Sequence, residues 1–172
     1  LSQQKLCDIF TQVGFECEIN GDLIEFDITP NRGDVLSLRG LEREFYAYQS
    51  TKSRRKLETS VLKLCQDKKI INQIDGSGCG NYHLMLVNGL KKIKSLDIKK
   101  RSFIESAGIP SINPLVDLGN YVMLEIGAPM HVFDLAKLAL PINVKFPKAN
   151  NNSVKVIGGD VKNIQSSSLT IQ

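Results

Sequence analysis

Two histidines and four cysteines are the residues of this 172-residue chain whose side chains most readily do acid–base, nucleophilic or metal chemistry. His131 lies in Pro129-Met130-His131-Val132-Phe133-Asp134-Leu135, a proline-led apolar segment. A solvated loop does not need two hydrophobic residues after a histidine, and a core strand does not need the histidine. The imidazole is therefore either packed and hydrogen-bonded or held in place to move a proton or orient water. His83 is far away in sequence, and Cys7, Cys17, Cys65 and Cys79 form no C-x-x-C pair, so no metal site is expected. Gly76-Ser77-Gly78-Cys79-Gly80 reads as a turn. It lacks the Lys-Ser/Thr of a phosphate loop, and no helical pattern follows it. Cysteines without pairing signals fit a reducing cytoplasm, and Cys7, on an apolar helix face, is expected simply to pack.

The composition bounds the class. Hydrophobic residues make up 42% and charged residues 23%, as in a globular domain, and the formal net charge is +4. That charge allows a polyanionic partner without requiring one. No apolar run has the length of a membrane span, and the opening LSQQKLCDIF does not read as a signal peptide. A start at Leu1 and an end in SSSLTIQ are read as a fragment, with an exposed strand edge expected near residues 165–172.

Several elements must position the candidate residues. Ser2 can cap a helix with Leu6, Ile9, Phe10 and Val13 on one face, ended by Gly14, with Phe15 folding back on it. Asn20-Gly21-Asp22 is a turn, and Ile24, Phe26 and Ile28 alternate with acids as in a half-buried strand. Thr29 to Asp34 reads as a tight turn, with Asp34 capping a second helix that buries Leu38, Leu41, Phe45 and Tyr48. Asn31, Arg32 and Asp34 are read as turn chemistry, capping and a domain contact rather than as catalysts. Residues 50–57, STKSRRKL, read as a polar, basic linker, and RNA contact is the other reading of Arg54, Arg55 and Lys56.

In the second half, residues 59–74 fit either a strand or a short helix. Tyr82 to Val87 reads as a strand. Ser95 can cap a helix with Leu96, Phe103, Ile104 and Ala107 inward and Gly108 at its end. Its Lys99, Lys100 and Arg101 suit a solvated face as well as an RNA contact. Asn113-Pro114 is a helix start, with the apolar residues Leu115, Leu118, Val122 and Ile126 following and Gly127 stopping it. Asp117, Asn120 and Tyr121 fall on another face, and Gly119 costs roughly 1 kcal/mol relative to alanine in a helix interior. Beyond Pro141, short alternating segments predict a β-meander. The fold class is α+β: a small helix–strand–helix unit at residues 1–50, a linker at 51–58, and a mixed α+β domain at 59–172.

Two ordered stretches carry a resemblance: DITPNRGDVLSLRGLERE at 27–44 and AGIPSINPLVDLGNYVMLEIGAPMHVFDL at 107–135. They resemble the β subunit of bacterial phenylalanyl-tRNA synthetase, and the likeness extends over nearly the whole chain. It implies that residues 1–50 are the small N-terminal domain. In most bacterial members an OB-type tRNA-binding insertion interrupts that domain, where this chain has only the turn at residues 20–22. It implies that residues 59–172 are the first part of the editing domain, which hydrolyses tyrosine wrongly attached to tRNA(Phe), and that the fragment alone is inactive. His131 matches the histidine of the family's P-M-H-A-F-D segment, and Asn120 the asparagine of V-D-V-T-N-Y. Both would line the editing pocket as catalytic candidates, with Pro110, Gly119 and Pro129 as substrate-binding positions. The family pattern has arginine where Pro110 stands, threonine where Gly119 stands and glutamine where Ala128 stands. Three polar groups are thus replaced near one pocket.

The resemblance further implies an α subunit as partner in an α2β2 heterotetramer, tRNA(Phe) as substrate, and ATP and magnesium for the complete enzyme, with no cofactor in this segment and no membrane. Two functions follow: a cytoplasmic tRNA-ligase part that edits, or a scaffold of the same fold, its editing decayed, that supports αβ assembly and tRNA positioning. A basic RNA-binding module of another kind is a third, but no aromatic-rich binding strand or RNA motif accompanies it.

Overall fold

A computed structural model describes residues 1–51, 71–75, 77–147, 153–155 and 159–171. Residues 52–70, which hold most of the linker, Cys65 and the ambiguous stretch up to residue 70, lie outside the described residues. The chain divides into two compact units, Leu1–Thr59 with Leu90–Val132, and Ser60–Gly89 with Phe133–Gln172. The fold class is α+β, with four helices and short sheets among the described residues.

Unit one begins with helix α1 (Gln3–Gln12). The Ser2 hydroxyl accepts from the Lys5 N–H at 3.3 Å and so satisfies one of the free donors of the first turn. Cys7, Ile9 and Phe10 are buried, as the helical spacing requires. Gly14 takes φ +95°, a region costly for side chains with a Cβ, and this returns Phe15 onto α1. The sequence reading missed a strand here. Residues Glu16–Asn20 form β1, which pairs antiparallel with β2 (Leu23–Asp27) around Gly21 and Asp22. Strand β1 carries only two apolar side chains, Cys17 and Ile19, among Glu16, Glu18 and Asn20, so its pattern is weak until β2 pairs with it. Phe10, Phe15 and Val35 form the buried cluster, joined at its margin by Phe26, Leu41 and Phe45.

Residues Pro30–Val35 wind as a 3-10 turn and lead into α2 (Leu38–Tyr48). The cap of α2 is Ser37, whose hydroxyl accepts from the Gly40 N–H at 3.0 Å; it is not Asp34. Asp34 is taken by cations instead. It receives two hydrogen bonds from Arg32, at 3.0 and 3.1 Å, and pairs with Arg43. Arg32 also reaches Glu44 at 2.9 Å and lies over the Phe15 ring. Two cations and two carboxylates thus pair within this cluster. The buried face of α2 is narrower than its apolar spacing suggested: Leu38 and Tyr48 are 44% and 43% exposed.

The rest of unit one is α3 (Ile98–Ser106) and α4 (Pro114–Ile126). Helix α3 starts later than expected, capped by Asp97 rather than Ser95, and only Ile104 is fully buried on it. Ala107 is exposed. Helix α4 packs with both α2 and α3.

In unit two, β3 (Ile71–Ile74) runs parallel to β4 (Ile142–Lys145), and β7 (Thr170–Ile171) pairs antiparallel with the other side of β4. Strands β5 (Ser153–Lys155) and β6 (Val161–Asn163) pair with each other. The expected meander is therefore corrected. Sheet order is β3-β4-β7, which joins strands distant in sequence, and β7 lies at its edge. Ile142 and Val144 on the central strand β4 are buried and alternate with half-buried neighbours, the pattern of a strand with one face more covered than the other. The turn at 77–80 is present, with Ser77 donating to the Asp75 carboxylate. No strand forms at 82–87, where Met85, Leu86 and Val87 are half or more exposed or nearly so. A strand needs a partner, and apolar alternation alone does not supply one.

Candidate functional site

Helix α4 and the chain on either side of it hold all five candidate positions. The Asn113 side chain accepts from the N–H groups of Leu115 and Val116, both at 3.1 Å, and Pro114 takes the first helical position. At the far end Gly127 adopts φ +79° and terminates the helix. These two signals were legible in the sequence, and they set the ends of the element that carries Gly119 and Asn120.

The buried face of α4 is not the apolar stripe. Leu118 and Ile126 are 46% and 40% exposed, whereas Asp117 is 3% exposed and Gly119 is buried. Asp117 is tolerated there because its carboxylate is surrounded by donors. The Ser111 hydroxyl donates at 2.6 Å and the Ile112 N–H at 2.8 Å. The Ser111 hydrogen bond first, and the Ile112 N–H next, hold its carboxyl below the usual carboxylate range. Asp117 therefore ties the segment just after Pro110 to the helix. The sequence reading had noticed only that Asp117 lies off the stripe; an acid near the start of a helix, six residues after a serine, was the available signal.

Gly119 marks where the later segment meets α4. A Cβ built on it would lie 3.9 Å from Cγ2 of Val132 and would be in ordinary contact with that side chain. Val132 directly follows His131, so the Pro129–Val132 segment comes back to the helix at the turn that carries Asn120. Asn120 is half-buried, whereas Pro110, Pro129 and His131 are exposed. Tyr121, beside Asn120, stacks edge-on with Phe103 at 6.1 Å, and the Lys100 ammonium lies 5.7 Å from its ring. Glu125 pairs with Arg39 at 3.6 Å, which gives it a packing partner on α2.

Two clefts, of about 410 and 280 Å³, open elsewhere in unit one. The first is lined by residues of β2, α3 and the turn after α3, including Ile24, Phe103 and Gly108, and the second by mostly apolar residues of α1, β2 and α2. Neither is lined by any of the five candidate positions. Among the described residues no group of three or more His, Cys, Asp or Glu is placed to hold a metal ion. Cys7, Cys17 and Cys79 are free thiols, and Cys7 is buried as its helical position suggested. No described helix is long and apolar enough to cross a membrane.

The sequence of the chain has a counterpart among known families. Residues 78–172 match the B3/4 domain, and the chain belongs to that family. It is similar to phenylalanine–tRNA ligase beta subunits of bacteria. With that of Mannheimia succiniciproducens it shares 34% identity over 148 residues, 86% of this chain and 18% of the relative. With that of Aquifex aeolicus it shares 36% over 137 residues, 79% of this chain and 17% of the relative. With that of Colwellia psychrerythraea the figure is 36% over 129 residues, 75% and 16%. The chain thus spans less than a fifth of the length of these relatives.

Proposed function

We propose that this chain is part of the β subunit of a cytoplasmic phenylalanine–tRNA ligase and carries part of the domain that hydrolyses tyrosine misattached to tRNA(Phe). The observation that carries the reading is the likeness to such β subunits across three quarters or more of the chain. The placement of Asn120 and the His131 segment at one turn of α4 agrees with it. The partners on this reading are the α subunit, in an α2β2 assembly, and tRNA(Phe). ATP and magnesium serve the ligation reaction elsewhere in the complete enzyme.

Editing is chemically reasonable wherever a pocket must reject a molecule that differs by one hydroxyl. Water attacks the ester carbonyl of tyrosyl-tRNA, the bond to the terminal ribose oxygen breaks, and tyrosine and free tRNA result. On this reading the Asn120 amide remains neutral while it donates to or accepts from the reacting ester. His131 orients the water or contacts the terminal adenosine, and Pro129 limits the backbone that leads to it. Asp117 is a positioning residue, because it holds residues 111–112 rather than touching substrate.

The exposure of His131 and the apolar or small residues at Pro110, Gly119 and Ala128 favour the second reading, a scaffold of the same fold. Deacylation of Tyr-tRNA(Phe) by the full-length αβ enzyme separates the two. Editing predicts hydrolysis by the wild type that His131→Ala and Asn120→Ala each slow by about a hundred-fold. A wild type without hydrolysis leaves the scaffold.

A further inference from the structure

We infer that residues 90–101 form a phosphate-contacting surface for RNA. The stretch reads Leu90-Lys91-Lys92-Ile93-Lys94-Ser95-Leu96-Asp97-Ile98-Lys99-Lys100-Arg101. It carries six cations and one carboxylate. With the whole chain at +4, the +5 of these residues leaves all the others together at −1. The stretch is therefore a local concentration of positive charge, and a local basic strip is what a polyanion recognises.

The cations differ in their engagement. Lys100 is held by Asp97 and by the Tyr121 ring, and Arg101 lies 4.0 Å from Glu105. Lys91, Lys92, Lys94 and Lys99 are exposed and form no ion pair among the described residues. Four uncompensated ammonium groups within nine residues repel one another, and a row of phosphates would relieve that repulsion while releasing counterions. Residues 90–97 adopt neither helix nor strand, so their backbone is not committed to a ladder. Contacts from lysine to phosphate position a nucleic acid without reading its sequence. The choice of RNA among polyanions rests on the proposed ligase reading, and the surface deepens that reading by placing backbone contacts next to the helix that carries Asn120. Leu90, Ile93 and Ile98 are also exposed, at 54%, 41% and 80%, so an anionic membrane surface is the rival occupant.

The test measures binding of the full-length protein as a function of salt. The probes are transcribed tRNA(Phe), an unrelated structured RNA of equal length, and vesicles containing phosphatidylserine. The variants change Lys91, Lys92, Lys94 and Lys99 together, either to Gln or to Arg. The surface predicts that the Gln variant binds tRNA(Phe) at least about ten-fold more weakly, with the log–log salt slope reduced by about three to four. The Arg variant retains the wild-type slope. Unchanged affinity and slope in the Gln variant overturn the proposal, and so does wild-type binding to vesicles but not to RNA. Equal losses on both RNAs, combined with no Tyr-tRNA(Phe) hydrolysis, would leave the RNA surface standing and remove the editing reading.

Discussion

Asp117 is buried, and two donors depend on it. Removing its charge leaves the Ser111 hydroxyl and the Ile112 N–H competing for one neutral amide oxygen. Asp117→Asn is expected to lower the urea midpoint at neutral pH and to loosen residues 110–113. The effect depends on pH in a defined sense. The folded-state pKa lies below the unfolded one, so the unfolded chain binds more protons as acid is added. The contribution of the carboxylate is complete above the ordinary aspartate range near pH ~4 and is lost as pH falls through the lower folded value. The wild type and Asp117→Asn should therefore differ most at pH 7 and converge in strong acid; a constant gap would assign the effect to shape rather than charge. Cys7 packs in the core, as its place on the apolar face of α1 suggests. Asp34, by contrast, is not the cap that its position suggests. Any acid at a turn looks like a cap in one dimension, and only the folded chain shows that Arg32 and Arg43 reach it first.

At the scale of elements, two helical glycines that look alike in the sequence behave oppositely. On α2, a Cβ added to Gly40 would come within 2.3 Å of the Asp34 carbonyl oxygen and 2.6 Å of the Val35 Cα. Both are backbone atoms of the preceding turn and cannot step aside cheaply. On α4, a Cβ at Gly119 meets only the Val132 side chain at 3.9 Å. Gly40→Ala is expected to destabilise by about 1–3 kcal/mol through overpacking. Gly119→Ala is expected to stabilise by about 0.5–1 kcal/mol, since the helix gains a better former and the unfolded chain loses freedom. Urea unfolding of the two variants checks both signs, and a destabilised Gly119→Ala would mean that α4 and residues 129–132 pack more tightly than the 3.9 Å contact indicates. Helix ends marked by Ser2, Asn113-Pro114, Gly108 and Gly127 were readable because capping is local. Strand β1 and the late start of α3 were not, because weak local patterns are decided by what pairs or packs with them.

Across the whole molecule, the two units differ in how much apolar core the described residues give them. Unit one buries Cys7, Ile9, Phe10, Phe15, Val35 and Ile104, whereas unit two buries Ile142 and Val144. Opening free energy follows buried apolar contact, so native-state hydrogen exchange should show lower protection for the amides of β4 than for those of α1. Equal protection of the two would mean that they open as one cooperative body. Local patterns are enough to read the α+β class, the termini of α1 and α4, the turn at Asn20-Gly21-Asp22 and the family likeness, because turn, capping and motif signals depend on neighbours a few residues apart. Tertiary structure decided the rest: that α4 buries Asp117 and Gly119 in place of its apolar stripe, that β4 lies between β3 and β7, and that Val132 returns to Gly119. Each of those depends on partners many residues away, and the free energy of burial and pairing is settled only when those partners meet.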